Sequence, residues 1–210
     1  MEVLSVDGGS PDPDSVQRAL SVLRTGGLIV YPTDTLYALG ARALDAAAAA
    51  RVLEAKGRPP GSPLPLIAAD LAQVESLSAR RPAALAALAA RFWPGPLTVV
   101  LIAAQGVPAE VTSATGTVAV RVPGLVLARR LCVEGPLVST SANRSGSPAP
   151  LTCAEALASV GAAARLALDS GPGRPLPSTI VDLTAAPRLL REGAVPWDQV
   201  AGVLRAGGGW

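Results

Sequence analysis

The hydrophobic positions near the start of the chain alternate between helical spacing and unbroken apolar runs. Apolar residues at positions 16, 19, 20 and 23 follow Asp12 at the spacing of one helix face, which predicts an amphipathic helix. Residues 28–31 form a continuous apolar run, which is typical of a buried strand. Residues 46–56 predict a second helix, because Gly57 follows them at a common helix stop.

The rest of the chain continues this mixture of strands and helices. The predicted strands are residues 64–67, 97–102, 118–122, 136–141, 166–169, 179–183 and 188–190. The predicted helices are residues 70–77, 82–92, 152–160 and 197–204. No break in composition separates them, so we expect one α/β domain over residues 1–210 with a twisted mixed sheet. The motif-bearing core is residues 14–194, and residues 206–210 are expected to fray.

Composition narrows the setting in which the protein works. Half of the residues, 50%, are hydrophobic, but no apolar run approaches the roughly 18 residues of a membrane span. The N-terminus has no basic region of the kind that begins a secretory signal, and two cysteines are too few for a disulfide framework. These features predict a cytoplasmic protein that does not enter membranes. A net charge of +2 is too mild to announce a nucleic-acid binder by itself.

The sequence contains no histidine. This excludes Ser-His-Asp and Cys-His nucleophile systems, the common zinc sites and histidine acid–base catalysis. The remaining chemistry depends on positioning and fixed positive charge. Phosphoryl and nucleotidyl transfer are of this kind, because they need phosphate clamps and a metal more than a protein nucleophile.

Lys56 is the only lysine among the 18 lysines and arginines of the chain. A cation at the end of the helix at residues 46–56 would complement the helix dipole, and this alone could explain its charge. It does not explain the choice of lysine, since arginine serves equally well there and is used elsewhere. A compact ammonium on a flexible stem suits phosphate binding or chemistry, so Lys56 is a candidate functional residue.

Polar residues cluster where predicted strands end. Two hydroxyls and a carboxylate follow the strand at 28–31, in residues 33–35. Period-two alternation places Arg121 on the face opposite the valines of its strand. Two alternatives are open for Arg121: a buried site that requires a carboxylate or phosphate partner, and an edge strand that leaves it in solvent. Residues 139–146 could be a polar turn or could bind a nucleotide.

Taken in order, seven segments resemble the YrdC domain family of threonylcarbamoyl-AMP synthases, with a length similar to the single-domain bacterial TsaC type. They are YPTDTLYALG at 31–40, KGRP at 56–59, PGPLT at 94–98, VRVP at 120–123, STSANRSG at 139–146, STIVD at 178–182 and LREG at 190–193. The resemblance implies a twisted mixed sheet, flanked by helices, with a concave, positively charged central cavity.

The resemblance also implies a reaction in which L-threonine, bicarbonate or CO2, and ATP give threonylcarbamoyl-adenylate and pyrophosphate, with Mg2+ as cofactor. The product would pass to a separate tRNA threonylcarbamoyl transferase complex, which makes threonylcarbamoyladenosine. Two further hypotheses remain: a YrdC-like module that binds structured, double-stranded RNA, and a YrdC-like enzyme that acts on another carbamoylated substrate.

Site residues are carried over by position in the matching motifs. Lys56 and Arg58 would clamp the ATP phosphates and supply the electrostatic catalysis. The wider nucleotide site would add Ser62, Thr117, Ser139, Asn143 and Arg191. Threonine would be held by Thr35, Arg121, Ser141 and Ser178. No residue is assigned to the metal, and a lid role for the loop at 171–177 stays open.

Three positions depart from the family's usual pattern. Ala38 replaces a glycine and Glu192 replaces a proline, and we expect both changes to be tolerated structurally. Ile67 lies where some longer, two-domain relatives carry a histidine that contacts threonine. At that position the side-chain contact would have to come from another residue, or from none.

Overall fold

A mixed sheet of ten strands runs through the computed structural model of the protein, which describes residues 1–206, with Ser113 described by its backbone only. The strands are β1 (Glu2–Ser5), β2 (Leu28–Pro32), β3 (Tyr37–Arg42), β4 (Leu66–Ile67), β5 (Leu97–Ile102), β6 (Thr117–Arg121), β7 (Leu137–Ser141), β8 (Ala164–Asp169), β9 (Thr179–Asp182) and β10 (Arg188–Arg191). Their order across the sheet is β1-β8-β2-β3-β7-β4-β6-β5-β9-β10. Parallel and antiparallel pairs mix, as β2 runs parallel to β8 and antiparallel to β3.

Helices flank both faces of this sheet. They are α1 (Pro13–Arg24), α2 (Ala46–Lys56), α3 (Leu71–Ser76), α4 (Ala83–Phe92), α5 (Ala109–Thr112), α6 (Val126–Leu131), α7 (Cys153–Val160) and α8 (Trp197–Ala206), with short 3-10 turns at Ser113–Thr115 and Gly161–Ala163. The predicted mixed sheet flanked by helices is therefore confirmed. The fraying expected at residues 206–210 falls outside the described residues, except at Ala206, the last residue of α8.

Side-chain caps explain why the helices begin where they do. The Asp12 carboxylate accepts a hydrogen bond from Ser15 N at 2.8 Å, and the Asp45 carboxylate accepts one from Ala48 N at 2.9 Å. Each cap satisfies a backbone donor that the first helical turn leaves without a partner. The C-terminal stop of α2 is confirmed as well, since Gly57 adopts the left-handed conformation with φ 64°.

Four elements of the structure were not predicted from the sequence: β1, β3, α5 and α6. β3 contains Gly40, which weakens a strand pattern, but the ring of Tyr31 lies against this glycine and leaves no room for a side chain. β1 is a short edge strand with mostly exposed side chains, so it lacks the apolar run of a buried strand. β4 is shorter than predicted and begins after Pro65, which has no N–H to donate to a ladder.

The two faces of the sheet bury separate apolar clusters. One cluster packs the sheet against α2, α4, α7 and α8, with Leu39, Leu66 and Val138 among its fully buried members. The other packs the opposite face against α1 and α6 and includes Tyr31, Ile67 and Leu137. Helices α1 and α6 both contact β2, and α1 also contacts β3 and β8, so they cover one end of this second face. A cavity lies beside the covered part.

No helix among residues 1–206 is long and apolar enough to span a membrane.

Candidate functional site

A cavity of about 210 Å³ lies on the sheet face that α1 and α6 partly cover. Side chains alternate along a strand, so Ser139 and Ser141 share the face of the buried Leu137 and reach the cavity beyond it. The polar and charged residues that line the cavity are Thr33, Thr35, Tyr37, Arg58, Thr98, Arg121, Ser139, Thr140, Ser141, Ser178 and Arg191. These described lining residues include three arginines and no carboxylate, so the cavity favours anions.

Arg121 lies at the end of β6, in the interior of the sheet rather than at its edge. Its side chain is buried, and Nη1 donates to Asp34 Oδ1 at 2.5 Å while Nη2 donates to Thr35 Oγ1 at 3.2 Å. Of the two alternatives that the sequence left open, the buried arginine with a carboxylate partner is confirmed. Asp34 and Thr35 follow β2, so a strand-end turn supplies both partners.

The opposite wall of the cavity is built from β5, β9 and β10. Thr98 Oγ1 and Ser178 Oγ are 2.9 Å apart, and Arg191 Nη2 donates to the Ser178 carbonyl at 2.8 Å and, more weakly, approaches its hydroxyl at 3.4 Å. Desolvation by burial, with a smaller contribution from Arg121, lowers the pKa of Arg191 from its ordinary value. The guanidinium remains charged at neutral pH, because arginine ordinarily titrates above pH 12.

Lys56 is 1% exposed at the end of α2, although its side chain carries a charge. Its ammonium donates to two backbone carbonyls, those of Ser141 and Asn143, the second at 2.7 Å. Burial, and to a lesser extent the neighbouring charge of Arg58, lowers the pKa of Lys56 to about 8. Lys56 therefore lies behind the cavity wall and holds the chain where β7 ends, while Arg58 lines the cavity itself.

The segment after α2 carries Arg58 and Ser62. Arg58 Nε donates to Ser145 Oγ at 3.2 Å, which links the end of α2 to the loop after β7. Ser145 N also donates to the Lys56 carbonyl at 2.9 Å, so this link involves both backbone and side chain. The Ser62 hydroxyl donates to the Pro59 carbonyl at 2.9 Å and thus closes a turn on itself.

Asn143 is buried in the loop after β7, and its side-chain nitrogen is hydrogen-bonded whereas its side-chain oxygen is not. Its Nδ2 donates to the carbonyls of Arg144 at 3.0 Å and Ser147 at 2.6 Å. Its Oδ1 is buried and has no hydrogen-bond partner among the described residues. A buried acceptor without a hydrogen-bond partner is rare in folded proteins. This oxygen does not reach the cavity, because Asn143 is not among the residues that line it.

The structure brings most of the predicted site residues to one cavity. The predicted residues that line it are Thr35, Arg58, Arg121, Ser139, Ser141, Ser178 and Arg191. Lys56 contacts the back of its wall through the backbone carbonyls of Ser141 and Asn143, and Asn143 itself lies in the loop just after β7. Ser62 lies in the turn after Arg58, and Thr117 begins β6, where its hydroxyl is 2.8 Å from that of Thr115. Neither Ser62 nor Thr117 lines the cavity in this conformation.

Sequence reasoning assigned no role to Thr33, Asp34 or Thr98. Thr98 is a polar residue in an apolar strand, which is the same signal that drew attention to Arg121. A carboxylate or phosphate partner was one of the two alternatives for Arg121, but the partner itself was not predicted, because Asp34 is 87 residues away along the chain. Thr33 Oγ1 lies 3.0 Å from Thr35 Oγ1 and accepts from the Leu36 amide, so it shapes the turn that carries Asp34 and Thr35.

The positions that depart from the family pattern are accommodated in different ways. Ala38 pairs with Tyr31 across β2 and β3 and is buried, so the additional methyl group fits there. Ile67 packs in the apolar cluster with Tyr31 and Leu137 and does not line the cavity. Glu192 accepts a hydrogen bond from Trp197 N at 2.7 Å and so caps the start of α8.

The arrangement can bind several anions, and no serine or threonine hydroxyl among its described lining residues is hydrogen-bonded to a carboxylate. Hydroxyls of the segments after β2, at the end of β7 and before β9 surround this volume. The guanidinium groups of Arg58, Arg121 and Arg191 line the same volume. Within residues 1–206, no group of three or more acidic or cysteine side chains is arranged to hold a metal ion. Both cysteines are buried thiols outside the cavity lining.

Comparison with known proteins gives consistent results. The model of the Sua5/YciO/YrdC family, described as "Telomere recombination", matches residues 21–193. The threonylcarbamoyl-AMP synthase of Pyrococcus abyssi is 39% identical over 193 residues, and a putative threonylcarbamoyl-AMP synthase of Mycobacterium tuberculosis is 38% identical over 200 residues. The crystal structure of P. abyssi Sua5 complexed with L-threonine superposes with a TM-score of 0.93 at 37% identity.

The relatives differ in how much of their length this chain spans. The alignment to the P. abyssi synthase covers 90% of this chain and 57% of that protein, and the structural match covers 97% of this chain and 61% of the other. The mycobacterial alignment covers 92% of both proteins.

Proposed function

The chain belongs to the Sua5/YciO/YrdC family, and we propose that it is an L-threonylcarbamoyladenylate synthase. It would convert L-threonine, bicarbonate or CO2, and ATP into threonylcarbamoyl-AMP and pyrophosphate. The observation that carries the proposal is the cavity in which Arg121, Thr35 and Ser178 face one another, in a chain that superposes on a threonine-bound relative. The side chains of this cavity can be divided into those that suit threonine and those that suit the ATP phosphates.

Arg121 suits the carboxylate of threonine. Its guanidinium is buried and already oriented by Asp34 and Thr35, so the remaining N–H groups of its fork are free to meet a second carboxylate. The hydroxyls of Thr35, Ser141 and Ser178 line the same volume and can bond the amino and hydroxyl groups of the substrate. The superposed P. abyssi structure is a complex with L-threonine, which supports this assignment.

Arg58 and Arg191 suit the ATP phosphates. They line the cavity from the end of α2 and from β10, and both are held by hydroxyl or carbonyl groups of neighbouring loops. Lys56 reaches two carbonyls of the wall in the present conformation. We assign it the phosphate side of the site, where it acts both by holding the chain at residues 141–143 and by placing a buried positive charge behind the nucleotide. Ser62, Thr117, Ser139 and Asn143 complete the proposed nucleotide site.

The chemistry follows from bringing anions together. The threonine nitrogen bonds to the carbon of CO2 and loses a proton, which gives a carbamate. A carbamate oxygen then attacks the α-phosphorus of ATP, and the bond to pyrophosphate breaks. Both steps bring negative groups into contact, and fixed cations offset that repulsion most strongly in a site that excludes water. Neither step requires a protein nucleophile or a histidine.

We assign Mg2+ to the nucleotide rather than to protein ligands, so that the substrate is the magnesium complex of ATP. Magnesium in phosphate-transfer sites keeps several waters and is usually bound by substrate phosphates together with one or two carboxylates. No carboxylate lies among the described residues of the cavity wall, so here the phosphates and waters would supply the ligands. The side chains that line the wall would hold the phosphates, and the metal would arrive with them.

Two further proposals concern the partner that takes the product and the cellular location of the protein. We propose that the product passes to a tRNA threonylcarbamoyl transferase complex, because a mixed anhydride of a carbamate and a phosphate must be consumed by an acceptor nucleophile. We also propose a cytoplasmic location, which agrees with a chain that has only two cysteines, both buried and not paired with each other.

The proposal is tested by pyrophosphate release from ATP by the purified protein with Mg2+. We expect release that requires both threonine and bicarbonate, and its loss in Arg121→Ala. Arg205→Ala is the matched control, because Arg205 is exposed on α8, away from the cavity lining, and should leave release unchanged. Binding of ATP without threonine-dependent release would contradict the assignment. Release supported by another amino acid in place of threonine would instead indicate a different carbamoylated substrate.

A further inference from the structure

We infer that Asp34, Gly124 and Arg129 form a positioning chain that sets the orientation of Arg121 and thereby the affinity for the substrate carboxylate. The inference rests on the proposed function, since it concerns how the threonine site is built. None of the three residues lines the cavity. Arg129 acts through Gly124, Gly124 acts through Asp34, and Asp34 contacts Arg121 directly.

The first link is the ion pair between Asp34 and Arg121. Only one carboxylate oxygen, Oδ1, contacts the guanidinium, at 2.5 Å. The other, Oδ2, is buried and has no hydrogen-bond partner in the described part of the chain. An aspartate held by one oxygen can pivot about that contact, so something else must fix its orientation.

The second link is Gly124, which packs directly against the carboxylate. A Cβ built on Gly124 would lie 3.1 Å from Asp34 Oδ2, 3.3 Å from its Cβ and 3.4 Å from its Cγ. The glycine therefore lets the backbone approach the side chain and limits its rotation. The third link is Arg129, whose Nη1 donates to the carbonyls of Pro123 at 2.7 Å and Gly124 at 2.8 Å. Arg129 thus holds the turn that presses on Asp34.

This geometry separates positioning from proton transfer. A general base must reach the amino group of threonine, whereas the free oxygen of Asp34 is covered by Gly124 and the carboxylate does not line the cavity. Asp34 instead keeps the Arg121 fork at one angle, which matters because a bidentate contact to a carboxylate is directional. A change in this chain should therefore affect threonine binding and leave the nucleotide site unaltered.

Gly124→Ala is the sharpest perturbation, because it removes no functional group. Gly124 is not among the positive-φ glycines of the described chain, so its backbone can accept alanine, but the new methyl group must displace the carboxylate by a few tenths of an ångström. A bidentate contact to a carboxylate is directional, so displacement of the Arg121 fork weakens it without removing it, and we expect the KM for threonine to rise about three- to tenfold. The KM for ATP and kcat should stay within about twofold of wild type, as expected when only ground-state binding is lost.

Gly202→Ala is the matched control, because no atom lies within 4 Å of its added Cβ, and both KM values should be unchanged. A double-mutant cycle with Asp34→Ala tests whether Gly124 acts through Asp34. We expect Asp34→Ala to raise the threonine KM, and Gly124→Ala to add less than about twofold in that background.

The inference would be overturned if Gly124→Ala raised the threonine KM equally with and without Asp34, or if it left that KM unchanged. Either result leaves the proposed function standing, provided that the wild type shows threonine-dependent pyrophosphate release. If the wild type shows no threonine-dependent release, the proposed function fails, and the inference fails with it. Should Asp34→Ala not fold, the ratio of the two KM values in Gly124→Ala still decides the question.

Discussion

Replacement of Arg121 by lysine keeps a positive charge on β6 but removes the planar fork that reaches two partners at once. In the structure, Nη1 contacts Asp34 and Nη2 contacts Thr35, while the residue is 7% exposed. Water therefore cannot replace a lost hydrogen bond freely. The variant thus separates the charge of the residue from its geometry.

The magnitude follows from counting donors. A guanidinium has five N–H groups, so three remain after the contacts to Asp34 and Thr35, and two of these can meet a substrate carboxylate. An ammonium has three donors, and the same two protein contacts leave only one. Loss of one hydrogen bond to a charged group costs about 1.5–3 kcal/mol, which corresponds to a rise in threonine KM of about 10- to 150-fold.

Stability should respond differently from affinity. Arg121→Lys keeps a cation beside Asp34, so its free energy of unfolding should fall clearly less than that of a variant that leaves the carboxylate without a cation. Arg121→Met leaves the Asp34 carboxylate, whose side chain is 17% exposed, without a cation, and should cost about 3 kcal/mol. Addition of Asp34→Asn to Arg121→Met should recover part of that loss.

The assays are threonine titrations of pyrophosphate release and urea denaturation of the same preparations. Arg205→Lys provides the matched control for an arginine-to-lysine change outside the cavity. A threonine KM in Arg121→Lys within about twofold of wild type would refute the reasoning, because it would show that the fork makes no directional contact with the carboxylate.

Three further predictions follow from single contacts. The pKa of Lys56 is lowered to about 8, so its ammonium is present below that pH and lost above it. Activity should therefore fall as the pH rises through about 8. An active Lys56→Arg variant should not show this fall in its pH–rate profile, because arginine stays protonated. Gly40→Ala should destabilise the protein by about 1–3 kcal/mol in urea denaturation, because its Cβ would lie 2.5 Å from the Tyr31 ring. Gly202→Ala within α8 meets no atom within 4 Å and should stabilise the protein by up to about 1 kcal/mol, because alanine favours a helix more than glycine does. Thr98→Val removes a buried hydroxyl bonded across the cavity wall and should raise the threonine KM about three- to tenfold with unchanged ATP KM, as measured by titration of both substrates.

Local patterns predicted the elements that carry a strong periodic signal. The helix at residues 46–56 begins and ends at the residues that its capping pattern indicated, and the apolar runs at 28–31 and 97–102 are buried strands. Elements without such a signal were missed. β3 includes Gly40, which is required by the ring packed against it, and that requirement depends on a neighbouring strand rather than on the local sequence.

The site could be predicted only in part for a similar reason. Motif order identified residues that line one cavity, and the strand pattern gave two alternatives for Arg121, one of which required a carboxylate or phosphate partner. The identity of that carboxylate, and the direction in which Lys56 points, depend on contacts between segments more than 80 residues apart, such as the 85 residues between Lys56 and Ser141. Such contacts follow from the strand order of the sheet, which the spacing of residues along the chain does not specify.

The central claim is that this cavity joins threonine, a one-carbon unit and an adenylate. Mass spectrometry of the product formed from threonine, ATP and 13C-labelled bicarbonate tests it directly. The account predicts threonylcarbamoyl-AMP that is heavier by one mass unit than the product from unlabelled bicarbonate, and no such product from Arg121→Ala. An adenylated threonine that contains no labelled carbon, or no adenylated product at all, would contradict it.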